Sequence, residues 1–144
     1  MNLDNEAPDV IPIVEEGERQ FRLQLNKLRA AVKAQVCRYT IENVLTSLTE
    51  YAGTHFREEE LLMDSLGYPD YLPHKKMHGR FATELQFLKE ELRSIKALGL
   101  RGSYELSVET IQLVTDWLAG HVMQNDRRLG EFLLARSVAN TEER

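Results

Sequence analysis

The sequence predicts an all-α protein, an up-down-up-down four-helix bundle followed by a short C-terminal helix. Three observations carry this. Four stretches repeat apolar residues at spacings of three and four, the second and third breaks between them hold Gly67-Tyr68-Pro69 and Gly99 to Ser103, and strand signals are almost absent: there is no Asn-Gly or Asp-Gly hairpin and no sustained apolar/polar alternation. The 144 residues, 42% of them apolar, suffice for one sizeable core, which four helices of about 20 residues and about 30 Å would enclose.

Residues 1–12 are polar and acidic, with Pro8 and Pro12, and read as an irregular arm. The bundle is expected over 13–138 and a polar tail or linker over 139–144. Phe21, Leu25, Leu28 and Val32 place one apolar stripe on a helix of roughly residues 16–36. The second stripe runs through Ile41, Leu45, Leu48, Ala52, His55, Glu59 and Leu62 and stops at Gly67-Tyr68-Pro69. The third, from about Asp70 to Leu98, begins with two histidines, His74 and His78, before Phe81, Leu85, Leu88 and Leu92. After a break from Gly99 to Ser103, Val108, Ile111, Thr115, Leu118 and Val122 are expected on one face with Leu113, Trp117 and His121 beside them, and Leu129, Phe132 and Leu133 mark the C-terminal helix.

Composition narrows the function. A net charge of −5 and a pI near 5.4 leave no basic surface for a phosphate backbone, so nucleic acid is not an expected partner. No apolar run is long enough to span a bilayer, and the acidic N-terminus lacks the pattern of a secretory signal, which points to a cytoplasmic protein. A single cysteine, Cys37, provides neither an internal disulfide nor a thiolate cluster, so any metal site must use nitrogen and oxygen donors. Glycine-rich nucleotide loops and a Gly-x-Ser-x-Gly nucleophile motif are also missing.

The chemistry lies in the histidines. His55 and Glu59, and His74 and His78, are i,i+4 pairs, each aiming two donors from one helical face. His121 and Asp126 are five apart, a spacing that does not repeat on a straight α-helix, so the chain near Gln124-Asn125 must loosen if both face one way. One such pair is weak evidence. Three pairs on successive helices, each histidine pair set within a core-facing stripe, are stronger, because buried imidazoles and carboxylates persist only when paired or metal-bound. Imidazole and carboxylate without thiolate suit iron, then manganese, then zinc, and two carboxylates able to bridge point to two ions. No Glu-x-x-His occurs anywhere, which argues against a ferritin-type di-iron enzyme.

The run His55-Phe56-Arg57-Glu58-Glu59-Glu60, then Gly67-Tyr68 leading into His74-Lys75-Lys76-Met77-His78, then Asp116-Trp117-Leu118 before His121 and Asp126, resembles the bacteriohemerythrins over most of the chain. That family consists of four-helix bundles holding a non-haem, oxo-bridged di-iron centre. The resemblance implies two Fe ions, with His74, His78 and His121 completing the six-coordinate iron. It places His55 on the iron with the open oxygen-binding position and makes Glu59 and Asp126 the bridges. It also exposes a departure: the family carries a further histidine on the first helix, and no histidine precedes His55 here. An ungapped placement puts Glu18 at that position, where its carboxylate, or else water or hydroxide, would take the place of the imidazole. An anionic oxygen donor favours ferric iron, so easy autoxidation and weak reversible oxygen storage are expected.

The expectation is therefore an oxygen or redox sensor module meeting dioxygen or another small diatomic molecule, with the polar tail suited to join an output domain. An oxygen carrier or iron store, a di-iron oxidase or peroxidase, and a metal-free adaptor are the rival classes. No separate general acid, base or substrate pocket signature supports the enzyme. Of Phe21, Phe56, Phe81 and Trp117, which could line an oxygen pocket, most read as core packing; Cys37 reads as structural or incidental rather than a redox thiol, and Arg127-Arg128 as a solvated helix start.

Overall fold

A computed structural model describes residues 11–142, and their side chains from 13 to 136. Helix α1 spans Ile11–Lys33, α2 Cys37–Leu66, α3 Tyr71–Leu98 and α4 Ser103–Asp116; a π-helical segment Trp117–Asp126 follows, then α5, Arg127–Glu142. No strand occurs among the described residues. The expected arm lies mostly outside them, but α1 begins at Ile11, because Pro12 in a first turn sacrifices no helical hydrogen bond. Helix α5 likewise runs on through 139–142, part of the stretch expected as a tail.

The stops are legible in the backbone. Gln35 takes a left-handed φ of 60° and the Val36 N–H reaches back to the Ala31 carbonyl at 2.9 Å, ending the first helix at Lys33 rather than near 36. Gly67 and Gly99 close α2 and α3 at φ of 65° and 63°, with Tyr68 and Leu100 N–H groups returning to Met63 and Ile95 carbonyls. These short connections turn the chain back on itself. Each of α1 to α4 packs on its two neighbours in the ring, as four amphipathic rods must to bury their stripes.

Phe21, Ile41, Leu45, Leu48, Phe81, Leu85, Leu106, Val114 and Leu118 belong to the main core, and Met63, Tyr68, Leu129 and Leu133 form a second cluster. Phe21 is fully buried and meets Tyr51, Phe56, Phe81 and Trp117 at centroid distances of 5.6–6.3 Å. The expected stripe of the fourth helix is shifted. Val108 is exposed, and the buried positions are Leu106, Ser107, Thr110 and Val114 before Trp117. Two hydroxyl residues sit inside that face because each bonds its own helix: Ser107 Oγ donates to the Ser103 carbonyl and Thr110 Oγ1 to the Leu106 carbonyl.

The fourth rod does not break before the C-terminal helix. Asp116 and Arg127, flanking the π-helical segment, both keep right-handed helical angles, so α4, this segment and α5 are one continuous run. No helix among the described residues is long and apolar enough to cross a membrane.

Candidate metal centre

Three elements bring six donor side chains together. Helix α2 supplies His55 and Glu59, α3 supplies His74 and His78, and the π-helical segment supplies His121 and Asp126; all six are buried. On α2 and α3 the i,i+4 spacing is enough. On the fourth rod, α-helical geometry would set residues five apart about 140° from each other, whereas the wider π turn brings them back to one side. The irregularity expected near Gln124-Asn125 is thus a π-helix that spans ten residues and starts at Trp117.

Glu59 stands at the centre. Its Oε1 lies 3.2 Å from His74 Nε2 and 3.0 Å from His78 Nε2, while Oε2 lies 2.9 Å from His55 Nε2. Asp126 Oδ1 lies 3.0 Å from both His74 Nε2 and His121 Nε2. Glu59, His74, His78, His121 and Asp126 each offer a donor atom within 4.8 Å of all the others. His55 stands outside that group of five, on the far oxygen of Glu59.

These short distances are mostly not hydrogen bonds. Among the described residues, seven buried side-chain polar atoms lack a hydrogen-bond partner, and five of them are His55 Nε2, Glu59 Oε2, His78 Nε2, His121 Nε2 and Asp126 Oδ1. Such atoms cost about 1–3 kcal/mol each when left unsatisfied. Donors that converge without bonding one another fit a cation between them, and the mix of imidazole and carboxylate fits a first-row transition metal.

The outward nitrogens of three imidazoles are also engaged. His78 Nδ1 is 2.8 Å from Glu60 Oε2; a carboxylate only accepts, so Nδ1 carries the proton and Nε2 turns its lone pair inward. Tyr51 Oη lies 3.5 Å from His55 Nδ1, and Asn125 Nδ2 lies 3.5 Å from His121 Nδ1. Each of these rings also lies flat against an aromatic one: Phe56 on His78 at 4.0 Å, Trp117 on His121 at 3.9 Å and Tyr51 on His55 at 5.3 Å between centroids. Phe56 and Trp117, read from sequence as packing, therefore also fix ring orientation. A groove of about 650 Å³ between α3 and the fourth rod, lined by Met77, Phe81, Trp117 and Gly120 among others, reaches His121.

Without a cation the cluster stores protons. Burial would depress His74, but the Asp126 and Glu59 carboxylates, 3.0 and 3.2 Å from its Nε2, outweigh it and raise the imidazole to about 9. His55 rises in the same way, its burial outweighed by Glu59. His121 goes down: burial and the neighbouring His74 and His78 outweigh Asp126. Burial opposes ionisation of Glu59, yet the His55 and His74 imidazoles, 2.9 and 3.2 Å from its two oxygens, hold it well below the usual carboxylate range.

Glu18 is not brought to this cluster. Its Oε1 takes the Arg22 guanidinium at 3.1 Å and has Arg127 at 3.9 Å. The residue of α1 that faces His55 is Gly17, where an added Cβ would fall 2.5 Å from His55 Nε2. Sequence reasoning missed Gly17, and also Glu60, Tyr51 and Asn125; the last two stand four residues from His55 and His121, a spacing that could have flagged them.

Residues 9–133 match the model of the Hemerythrin HHE cation binding domain. The chain belongs to the hemerythrin HHE family. Similar hemerythrin relatives include the bacteriohemerythrin of Methylococcus capsulatus, 30% identical over 68% of this chain and 70% of its own length. The bacteriohemerythrin of Stenotrophomonas maltophilia is 26% identical over 81% of this chain and 71% of its own. Myohemerythrin-1 of Phascolopsis gouldii is 34% identical over 57% of each chain. As a hemerythrin-family domain the chain is a cation-binding helical bundle, and the convergent buried donors are where a cation fits.

Proposed function

We propose that this domain holds two non-haem irons and meets dioxygen in the cytoplasm, changing redox state as a sensor. His74, His78 and His121 would hold one iron and His55 the other, with Glu59 and Asp126 spanning both. The observation that carries this is the set of unpartnered donor atoms on either side of Glu59: Oε1 serves two imidazoles while Oε2 faces a third. A bound iron pair supplies one-electron redox steps and an open coordination position for a diatomic molecule.

The protein's own part is to position and to insulate. Glu60 fixes the His78 tautomer, the stacked rings of Phe56, Trp117 and Tyr51 hold three imidazoles in plane, and Phe21 closes the site with hydrocarbon. Burial keeps water from the donors and strengthens their hold on charge. A sensing role is supported by two features. Helix α1 gives no imidazole to His55's side of the site, which disfavours long-lived reversible storage, and α5 follows directly on Asp126, so a shift of that carboxylate is passed along a continuous helix.

The test is ferrous loading under argon followed by air. Near-ultraviolet and visible charge-transfer bands should develop on exposure and fade on reduction, with slower amide exchange in α5 in one redox state than in the other. Metal-loaded protein that neither consumes oxygen nor changes its spectrum would refute the oxygen reading; identical exchange in both states would refute the sensor.

A further inference from the structure

The two sides of Glu59 are not equally furnished. On one side three imidazoles, Glu59 Oε1 and Asp126 Oδ1 converge, all within 4.8 Å of one another. The other side has His55 Nε2, Glu59 Oε2 and at most one further oxygen, from Asp126. Helix α1 brings no histidine there. Gly17 puts bare backbone against the His55 ring, with an added Cβ 2.5 Å from Nε2 and 2.7 Å from Cε1. Its neighbours are committed elsewhere: Glu16 accepts from Arg19 and Gln20, Glu18 accepts from Arg22, and Phe21, one turn on, is hydrocarbon with its ring centroid 6.5 Å from that of His55.

We propose that the centre binds its two metal ions unequally, one retained by five protein donors and one exchangeable at the His55 position, and that Gly17 keeps that second position usable by leaving the His55 ring its room. This rests on the two-iron reading above. An octahedral ion at the His55 position has at most three protein donors, so solvent or small anions fill the remainder and exchange with the medium. Gly17 sets the clearance. Any side chain there must push the His55 ring aside, and that ring is stacked on Tyr51 with Phe21 at its edge, so it has little room to yield.

The experiment is ferrous loading of the full chain under argon, removal of free metal, and mixing with a ferrous-specific coloured chelator. The wild-type protein should release about one equivalent fast and about one slowly, at rates at least about tenfold apart. His55→Ala and, independently, Gly17→Ala should abolish the fast phase and keep the slow one; Glu18→Gln should keep both. Release of two equivalents in one phase, binding of a single equivalent by the wild type, or loss of both equivalents in a folded His55→Ala protein would overturn the proposal. Should His55→Ala not fold, the wild-type phases and Gly17→Ala still decide. Retention well below one equivalent by the wild type would instead defeat the metal reading itself.

Discussion

Glu60 gives the most revealing perturbation, because it touches no proposed metal and acts only through His78. Its carboxylate holds His78 Nδ1–H at 2.8 Å and its side chain is 23% exposed. Partners of this kind, behind a metal-bound histidine, are worth about 10–100-fold in metal affinity. Partial exposure lets water replace a lost acceptor, so the lower part of that range applies: Glu60→Leu should weaken ferrous binding about 10–30-fold, or about 1.4–2 kcal/mol. Glu60→Gln keeps an acceptor but removes its charge, and a neutral hydrogen bond is roughly half as strong, so about half that free energy should be lost. The assay is equilibrium competition with a chelator of known affinity, paired with urea denaturation of the metal-free proteins. The metal-free stabilities should stay within about 0.5 kcal/mol of wild type. Affinities of both variants within a factor of about three of wild type would refute the role of Glu60, as would a loss of the same size in the metal-free proteins.

Further outcomes follow from the same geometry. In the metal-free protein His74 is raised above its unfolded value to about 9, so its contribution to stability is complete below about pH 6.5 and lost as pH climbs through 9; the urea midpoint should fall between pH 6 and 9.5, and metal loading should abolish that fall. Phe21→Ala removes a fully buried ring that touches four aromatic neighbours in the core and should lower stability by about 3–5 kcal/mol in a denaturant melt. Gly67→Ala places a side chain at a φ of 65° and should cost about 1–2 kcal/mol, read as a lowered melting temperature with metal affinity unchanged.

Much of this was legible in the sequence, and the gaps have physical causes. His55, Glu59, His74 and His78 could be placed because i,i+4 spacing on an apolar stripe fixes both their mutual distance and the direction they face. His121 and Asp126 were legible as a pair that an α-helix could not align, and the structure supplies the π turn that aligns them. The fourth helix misled in its first half, since Ser107 and Thr110 satisfy their own hydroxyls and so lie buried where the expected face ran through Val108 and Ile111. The first helix misled by one residue. An ungapped placement put Glu18, three residues before Phe21, at the position of the missing histidine, and glycine has no side chain to declare which way it faces, so Gly17 gave no signal. Glu60 was hidden for another reason: its partner His78 is on α3, and only the alignment of two helices shows that they meet.

The central claim, that imidazoles and carboxylates from separate helices converge on iron, is tested most directly by X-ray absorption at the iron edge of ferrous-loaded protein. The account predicts a nearest shell of nitrogen and oxygen only, outer-shell scattering from several imidazole rings, and a loss of part of that scattering in His78→Ala. A sulfur shell, or a spectrum free of imidazole scattering and unchanged by His78→Ala, would contradict it.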